Sequence, residues 1–464
     1  MSNNPATSSH KNKVTPGGKF RWTICTLLFF SVAINYIDRN VIGILKGPLS
    51  EKLGWNDTDF GYIVAAFNFA YAFGYLLGGR IVDRLGIKRA LPWFVFLWSF
   101  AACAHGLCNF LDVTARVSFH YPWFDWAEKT LIMATFAAPL TVFGFMGARV
   151  ALGLTEGGNF PAAIKTVAEW FPVKERALAT GWFNAGTNAG AILCPIAVRW
   201  MNDHWGWQTT FYVTGATGFL WLIAWAWLYE APEKHQRLSA AELEYIRSDQ
   251  APAEVVVKVP WLQLMRYRAV WAYLIAGILA GPAWPFYGFF LPDFLRRNFA
   301  LSFSAMAWWT SAFYVLAAVG GIGGGWMTAR LMAKGWTVNK SRKLALLICA
   351  VCVLPVCLAP YAGTAWLAVL IVGLAGSAHQ GWSANLFSVV GDTMPKSAIS
   401  SVVGLGGFVS YLMAAVMSAI TGMIVQKTGS YVWVFAYYAG MYLISLAAIQ
   451  ILVPRLGQST ELKK

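Results

Sequence analysis

Charged side chains are scarce in this chain: Asp, Glu, Lys and Arg make up 12% of its 464 residues, against roughly 25% in soluble proteins. With 58% hydrophobic residues in recurring runs of about 20, that shortage argues against a soluble domain and for a multi-pass membrane protein. Acidic residues are fewest, 21 against 36 basic ones, leaving a net charge of +15. Such an excess raises nucleic acid as a partner, but most of the Lys and Arg fall on alternate connecting segments. That bias is the positive-inside pattern, which puts both termini in the cytoplasm and gives the basic balance to topology. Cysteine is limited to seven residues, an odd number, all in apolar stretches, so no disulfide framework is expected. Cys349-x-x-Cys352 lies in an apolar helix without ligand partners, and core packing explains it better than zinc or redox chemistry. Nucleophile elbow, metal cluster and nucleotide loop are all missing, so neither an enzyme nor a metal or cofactor is expected. The polar, basic segment 1–20 has no signal cleavage site and reads as a disordered cytoplasmic tail, with 454–464 a second tail.

Twelve apolar spans fit the chain, at 21–46, 58–81, 89–110, 139–170, 177–200, 208–229, 269–297, 303–329, 343–361, 365–391, 398–426 and 431–453. The fold expected is all-α and membrane-integral, with a six-helix half at 21–229, a cytoplasmic linker at 230–268 and a second half at 269–453. In the linker, Ser239 and Glu242 have capping-box spacing ahead of a short helix ending near Asp249, before Pro252 and Pro260. Segment 111–138 mixes Asp112, Arg116, His120, Asp125, Glu128 and Lys129 with Trp123 and Trp126, and reads as an external loop with an interfacial stretch. Two six-helix halves around a cytoplasmic linker form the layout of a rocking transporter.

Two acid–base couples stand deep inside these spans: Asp38 and Arg39 in the first, Arg149 and Glu156 in the fourth. Each charged group costs at least ~2.5–3.5 kcal/mol on insertion scales, so such groups persist chiefly where they pair and work. Arg149 and Glu156 are seven residues apart, about two turns or ~10 Å along one helix face, and can line one cavity while reaching different partners. An Arg–Glu clamp between helices is the structural alternative. Gly153, Gly157 and Gly158 allow close helix approach. Other polar residues suit a sugar-sized solute: Tyr36; Tyr71, on one face with Asn68 and Tyr75; Asn184 and Asn188, four apart; and His379, Gln380, Ser383 and Asn385 within one stretch. Trp284 and Tyr287 flank Pro285 and offer rings for stacking. Lys165 is expected to snorkel to the cytoplasmic headgroups.

Between spans two and three runs Gly79-Arg-Ile-Val-Asp83-Arg84-Leu-Gly86-Ile-Lys88-Arg89, with a degraded echo between Gly325 and Arg342. It matches G-x-x-x-D-R-x-G-x-K-R, the loop signature of the major facilitator superfamily, where the resemblance implies a gating role and no contact with substrate. Tyr36-x-Asp38-Arg39, Arg149 with Glu156, Glu169-Trp-Phe-Pro172 and Gly181-Trp-Phe-Asn184 resemble the anion:cation symporter branch. Ala378-His379-Gln380-x-Trp382-Ser383-Ala-Asn385 resembles bacterial hexuronate transporters. Carried over, the resemblance makes Asp38 and Glu156 proton sites and Arg39 and Arg149 ligands of a sugar-acid carboxylate. It implies a proton-coupled hexuronate importer of the bacterial inner membrane, working as a monomer. An aldonate, aldarate or other organic anion, or a proton-independent facilitator, are the alternatives.

Overall fold

Short polar turns between long apolar runs set where the helices begin and end. The computed structural model describes residues 18–125, 130–249 and 260–456. The first half holds α1 (Phe20–Leu53), α2 (Asp57–Leu85), α3 (Ile87–Leu107), strands β1 (Arg116–Asp125) and β2 (Thr130–Pro139), α4 (Leu140–Glu156), α5 (Asn159–Trp170) and α6 (Val173–Leu228). Helices α7 (Ala240–Arg247) and α8 (Trp261–Leu264) belong to the linker. The second half holds α9 (Arg268–Ala280), α10 (Ala283–Phe289), α11 (Leu291–Asn298), α12 (Phe303–Ala333), α13 (Val338–Val353), α14 (Ala365–Thr393), α15 (Lys396–Thr428) and α16 (Val432–Leu452).

Gly54, at φ 67°, ends α1 in the left-handed region, and Asn56 then caps α2. The Asn56 side chain accepts from Asp59 N at 2.8 Å while the Asp59 carboxylate accepts from Asn56 N at 3.1 Å, a reciprocal box that satisfies two free donors. Gly206, at φ 81°, breaks the 56-residue α6 into two spans. Among the described residues, nine helical stretches are long and apolar enough to cross a membrane. Counting α6 twice and adding α4–α5 and α14, each expected span has a helical counterpart.

Two spans are interrupted. The fourth divides at Gly157–Gly158 into α4 and α5, and the seventh into α9 and α10 at Gly281–Pro282 and into α10 and α11 at Phe290. Gly153 presses α4 onto α2 so closely that a Cβ there would lie 2.5 Å from the Phe67 carbonyl oxygen. Within the first half α1 packs on α6 and α2 on α4; within the second α12 packs on α14 and α9 on α16. The halves meet along α2–α15 and α6–α12.

Segment 111–138 differs from the expected loop. Arg116–Asp125 pairs antiparallel with Thr130–Pro139, from Arg116 opposite Pro139 to Asp125 opposite Thr130. The reason is alternation: Val117, Phe119, Tyr121 and Trp123 recur every second residue, a period suited to a strand and hidden by the mixed composition. Trp126, Glu128 and Lys129 lie outside the described residues, as do Pro252, most of the N-terminal tail and the end of the C-terminal one.

Candidate functional site

A cavity of about 580 Å³ lies between the halves. Tyr36, Tyr71, Asn184 and Asn188 wall it from the first half, and Trp284, His379, Gln380 and Ser383 from the second. It extends toward the end of the bundle that carries the linker, where Ile164 and Phe387 at its rim are 52% and 48% exposed. At the other extreme it shares Tyr36, Trp284 and Tyr411 with a small apex lined by Arg39.

Arg39 is held from several sides. Its Nε donates to Glu156 Oε2 at 2.9 Å and its Nη2 to Asn35 Oδ1 at 3.2 Å. Aromatic faces surround the guanidinium, with Cζ 4.4 Å from the Tyr71 ring centroid and 4.8 Å from that of Tyr36. Glu156 Oε1 is buried without a hydrogen-bond partner, so the pair is joined through one carboxylate oxygen. A solute carboxylate gripping the Nε–Nη2 edge would have to displace Glu156 and Asn35.

Asp38 and Arg149 lie outside the cavity wall. Adjacent helix residues diverge by ~100°, so Asp38 turns away from Arg39 and does not share its face. Asp38 is 2% exposed, neither carboxylate oxygen has a hydrogen bond of good geometry, and Arg149 and Thr214 are among its electrostatic neighbours. Arg149 is fully buried and donates from Nη1 to the Arg39 carbonyl at 3.0 Å, leaving its Nε and Nη2 unsatisfied. Acid and base therefore meet between spans at one place: Arg39 holds Glu156 at 2.9 Å, while Arg149 makes no ion pair among the described residues and has both Glu156 and Asp38 as electrostatic neighbours. Direct contact of Arg149 with a solute in the cavity does not fit this arrangement.

Two more expected solute ligands stand elsewhere. Asn385 is 1% exposed and fixes α14 to α12, accepting from Thr328 Oγ1 at 2.7 Å and donating to the Gly381 carbonyl at 2.9 Å. Tyr287 is 1% exposed and packs on Phe313 at 5.1 Å between ring centroids. His379 does face the cavity, parallel to Trp284 at 5.6 Å, with Nδ1 2.5 Å from the Tyr442 hydroxyl.

The signature loop also has definite partners. Gly86, at φ 73°, makes the turn into α3. Lys165 does not snorkel to headgroups: its Nζ donates to Asp83 Oδ1 at 3.0 Å and to the Val82 carbonyl at 3.3 Å, tying α5 to the end of α2. Lys88 pairs with Glu230 at the start of the linker, and hydrogen bonding from Lys88 holds the Glu230 carboxyl below its ordinary range. Gly79, Arg84 and Arg89 lie along the same turn, on the surface or at its edge.

The sequence reading missed a cluster that closes the cavity at the end opposite the linker. Lys46 on α1 donates to Asp293 on α11 at 2.6 Å and lies 2.8 Å from Asp57 on α2. Arg297 grips Asp57 with two bonds of 2.8 and 2.7 Å and reaches Asp293 at 3.0 Å, while Tyr431 donates to Asp293 at 2.6 Å. Two cations and two carboxylates thus join the halves in a charge-balanced, largely buried network. Each of these residues stands near the end of a span, where a charge looks like a boundary marker. Asp293, a few residues inside its expected span, was the available signal. Tyr411 and Ser410, polar groups in an apolar run, were the corresponding signal for the cavity wall.

A sequence model of the Major Facilitator Superfamily matches residues 28–418. The hexuronate transporter of Escherichia coli K12 is 26% identical over 414 residues, covering 88% of each chain. The probable galactarate/D-glucarate transporter GudP of Bacillus subtilis 168 is 29% identical over 433 residues, covering 90% of this chain and 89% of its own. Among solved structures, a D-xylose-proton symporter superposes with a TM-score of 0.69 at 13% identity, covering 93% of this chain and 97% of that one.

Proposed function

The chain belongs to the Major Facilitator Superfamily, and on that premise we propose that it imports a sugar acid, a hexuronate, together with protons by alternating access. The observation that carries this reading is the Arg39–Glu156 pair at the apex of the interdomain cavity. A sugar acid is an anion at neutral pH, and a guanidinium grips a carboxylate through two parallel hydrogen bonds. Ionised Glu156 competes for that grip. Protonating it releases Arg39 to the solute, so proton and solute binding favour one another by the same factor. Asp38 and Arg149, buried behind the same stretch of α1, are electrostatic neighbours without an ion pair between them. Arg149 holds the Arg39 backbone carbonyl, so a change of charge on Asp38 reaches the site through the position of α1.

The bias of Lys and Arg puts the linker end in the cytoplasm of a bacterium, which makes this conformation inward-facing and the Lys46–Asp57–Asp293–Arg297 network an outer gate. Opening outward requires that network to separate while the cytoplasmic ends of α5 and α14 close over the cavity. If two protons accompany one monoanion, net positive charge enters, and each 100 mV of inside-negative potential adds ~2.3 kcal/mol per charge.

The reading of Glu156 and Asp38 as proton sites is tested by reconstituting the protein in liposomes and measuring uptake of labelled galacturonate under imposed pH and voltage gradients. Concentrative uptake driven by an inward proton gradient is expected. Uptake that only equilibrates, whatever the gradient, would make the protein a facilitator.

A further inference from the structure

Relatives of this chain are named for hexuronate, L-galactonate and galactarate/D-glucarate, solutes of two charge types. Hexuronates carry one carboxylate, whereas galactarate and D-glucarate carry one at each end of the carbon chain. The cavity wall bears on that difference. Among the described residues lining the cavity and its apex, Arg39 is the one formally charged side chain. It stands at the first-half side of the apex. The opposing wall, from α14 and α15, offers His379, Gln380, Ser383 and Ser410.

We propose that the cavity selects a monoanionic sugar acid, with its carboxylate at Arg39 and its hydroxyls on the His379–Gln380–Ser383 wall, and rejects dicarboxylates of the same carbon number. The proposal rests on the sugar-acid reading above and narrows its substrate class. A sugar hydroxyl both donates and accepts, so it matches an amide, a hydroxyl and an imidazole in either orientation. A carboxylate only accepts, and it brings a full charge. On this wall it would meet no Lys or Arg among the described residues, and its hydration would be stripped when the halves close over it. His379 does not replace the missing cation in this geometry. Its ring is held flat against Trp284, and one nitrogen is engaged by the Tyr442 hydroxyl, leaving the other for a single hydrogen bond.

The experiment is competition against labelled galacturonate bound to the purified, full-length protein, with glucuronate, galactonate, galactarate and D-glucarate as competitors. Glucuronate and galactonate are expected to compete within about tenfold of galacturonate, and the two dicarboxylates about 100-fold or more weakly, since each would leave a buried charge unpaired. A second arm uses Gln380→Lys, which places a cation on the neutral wall. It should gain galactarate binding relative to galacturonate by tenfold or more. Dicarboxylates binding the native protein as well as monocarboxylates do would overturn the proposal alone. So would a Gln380→Lys protein that still binds galacturonate but gains nothing for galactarate. If no sugar acid bound at all, the sugar-acid reading would fall and this proposal with it.

Discussion

Helical geometry separates the four buried charges more sharply than their order in the chain suggests. Asp38 and Arg39 are neighbours in sequence but face different helices, and Arg149 and Glu156 share a helix yet lie too far apart along it to pair. The identity of the four was legible, because charge in an apolar run stands out. Their pairing was not, since it depends on how α1 rotates against α4, and a single strand of text does not hold that angle. A single ion pair, Arg39 with Glu156, among these four residues gives distinct expectations. Arg39→Lys keeps the charge but loses the two-pronged grip and should weaken galacturonate binding by about 100-fold, measured by equilibrium binding; unchanged affinity would remove Arg39 from the site. Glu156→Gln mimics the protonated acid and should abolish proton-driven accumulation while sparing counterflow exchange. Asp38→Asn should also lose accumulation, but it leaves buried Arg149 with Glu156, already engaged by Arg39, as its one remaining anionic neighbour among the described residues. A fall in thermal stability larger than that of Glu156→Gln is therefore expected, read by unfolding of the two variants in one detergent.

At the scale of elements, the spans were legible because an apolar run of about 20 residues in a chain this hydrophobic has few other uses. Interruptions were harder to see. The α4–α5 break follows from two consecutive glycines, and the α9–α10 break from Gly281 and Pro282, yet neither disturbs hydropathy. The β1–β2 hairpin is hard to see because the mixed composition of 116–125 masks an apolar residue at every second position. Contacts between elements were least visible of all, since ion pairs such as Lys46 with Asp293 join residues 247 apart in the chain. That network predicts a measurable bias. Asp293→Asn removes one of two carboxylates facing two cations, so the closed outer end should loosen and the population shift outward by about tenfold, equivalent to ~1.4 kcal/mol. Distances between spin labels on the outer ends of α1 and α11 would report it, and an unchanged distribution would deny the network a gating role. Asp83→Asn breaks the contact with Lys165 on the linker side. It should slow transport and move the same equilibrium while leaving binding to the favoured state nearly intact; labels on α2 and α14 at that end would follow it.

For the whole molecule, the proposed symport makes the two halves, the interdomain cavity and the two closing devices one machine that would couple a solute, a proton and a conformation. The cavity is roomy toward the linker end and narrow at Arg39, and the opposite end is sealed by balanced charges. Coupling needs the Arg39–Glu156 pair to open when the sugar acid arrives, and the proton that opens it must cross with the solute. The most direct measurement is therefore the proton itself: adding galacturonate to proteoliposomes in weakly buffered medium without any imposed gradient, and recording external pH. Symport predicts that the medium turns more alkaline as solute enters, that the signal scales with solute uptake, and that it disappears in Glu156→Gln although exchange continues. Solute entry with no change in external pH, or an identical pH signal in Glu156→Gln, would contradict it.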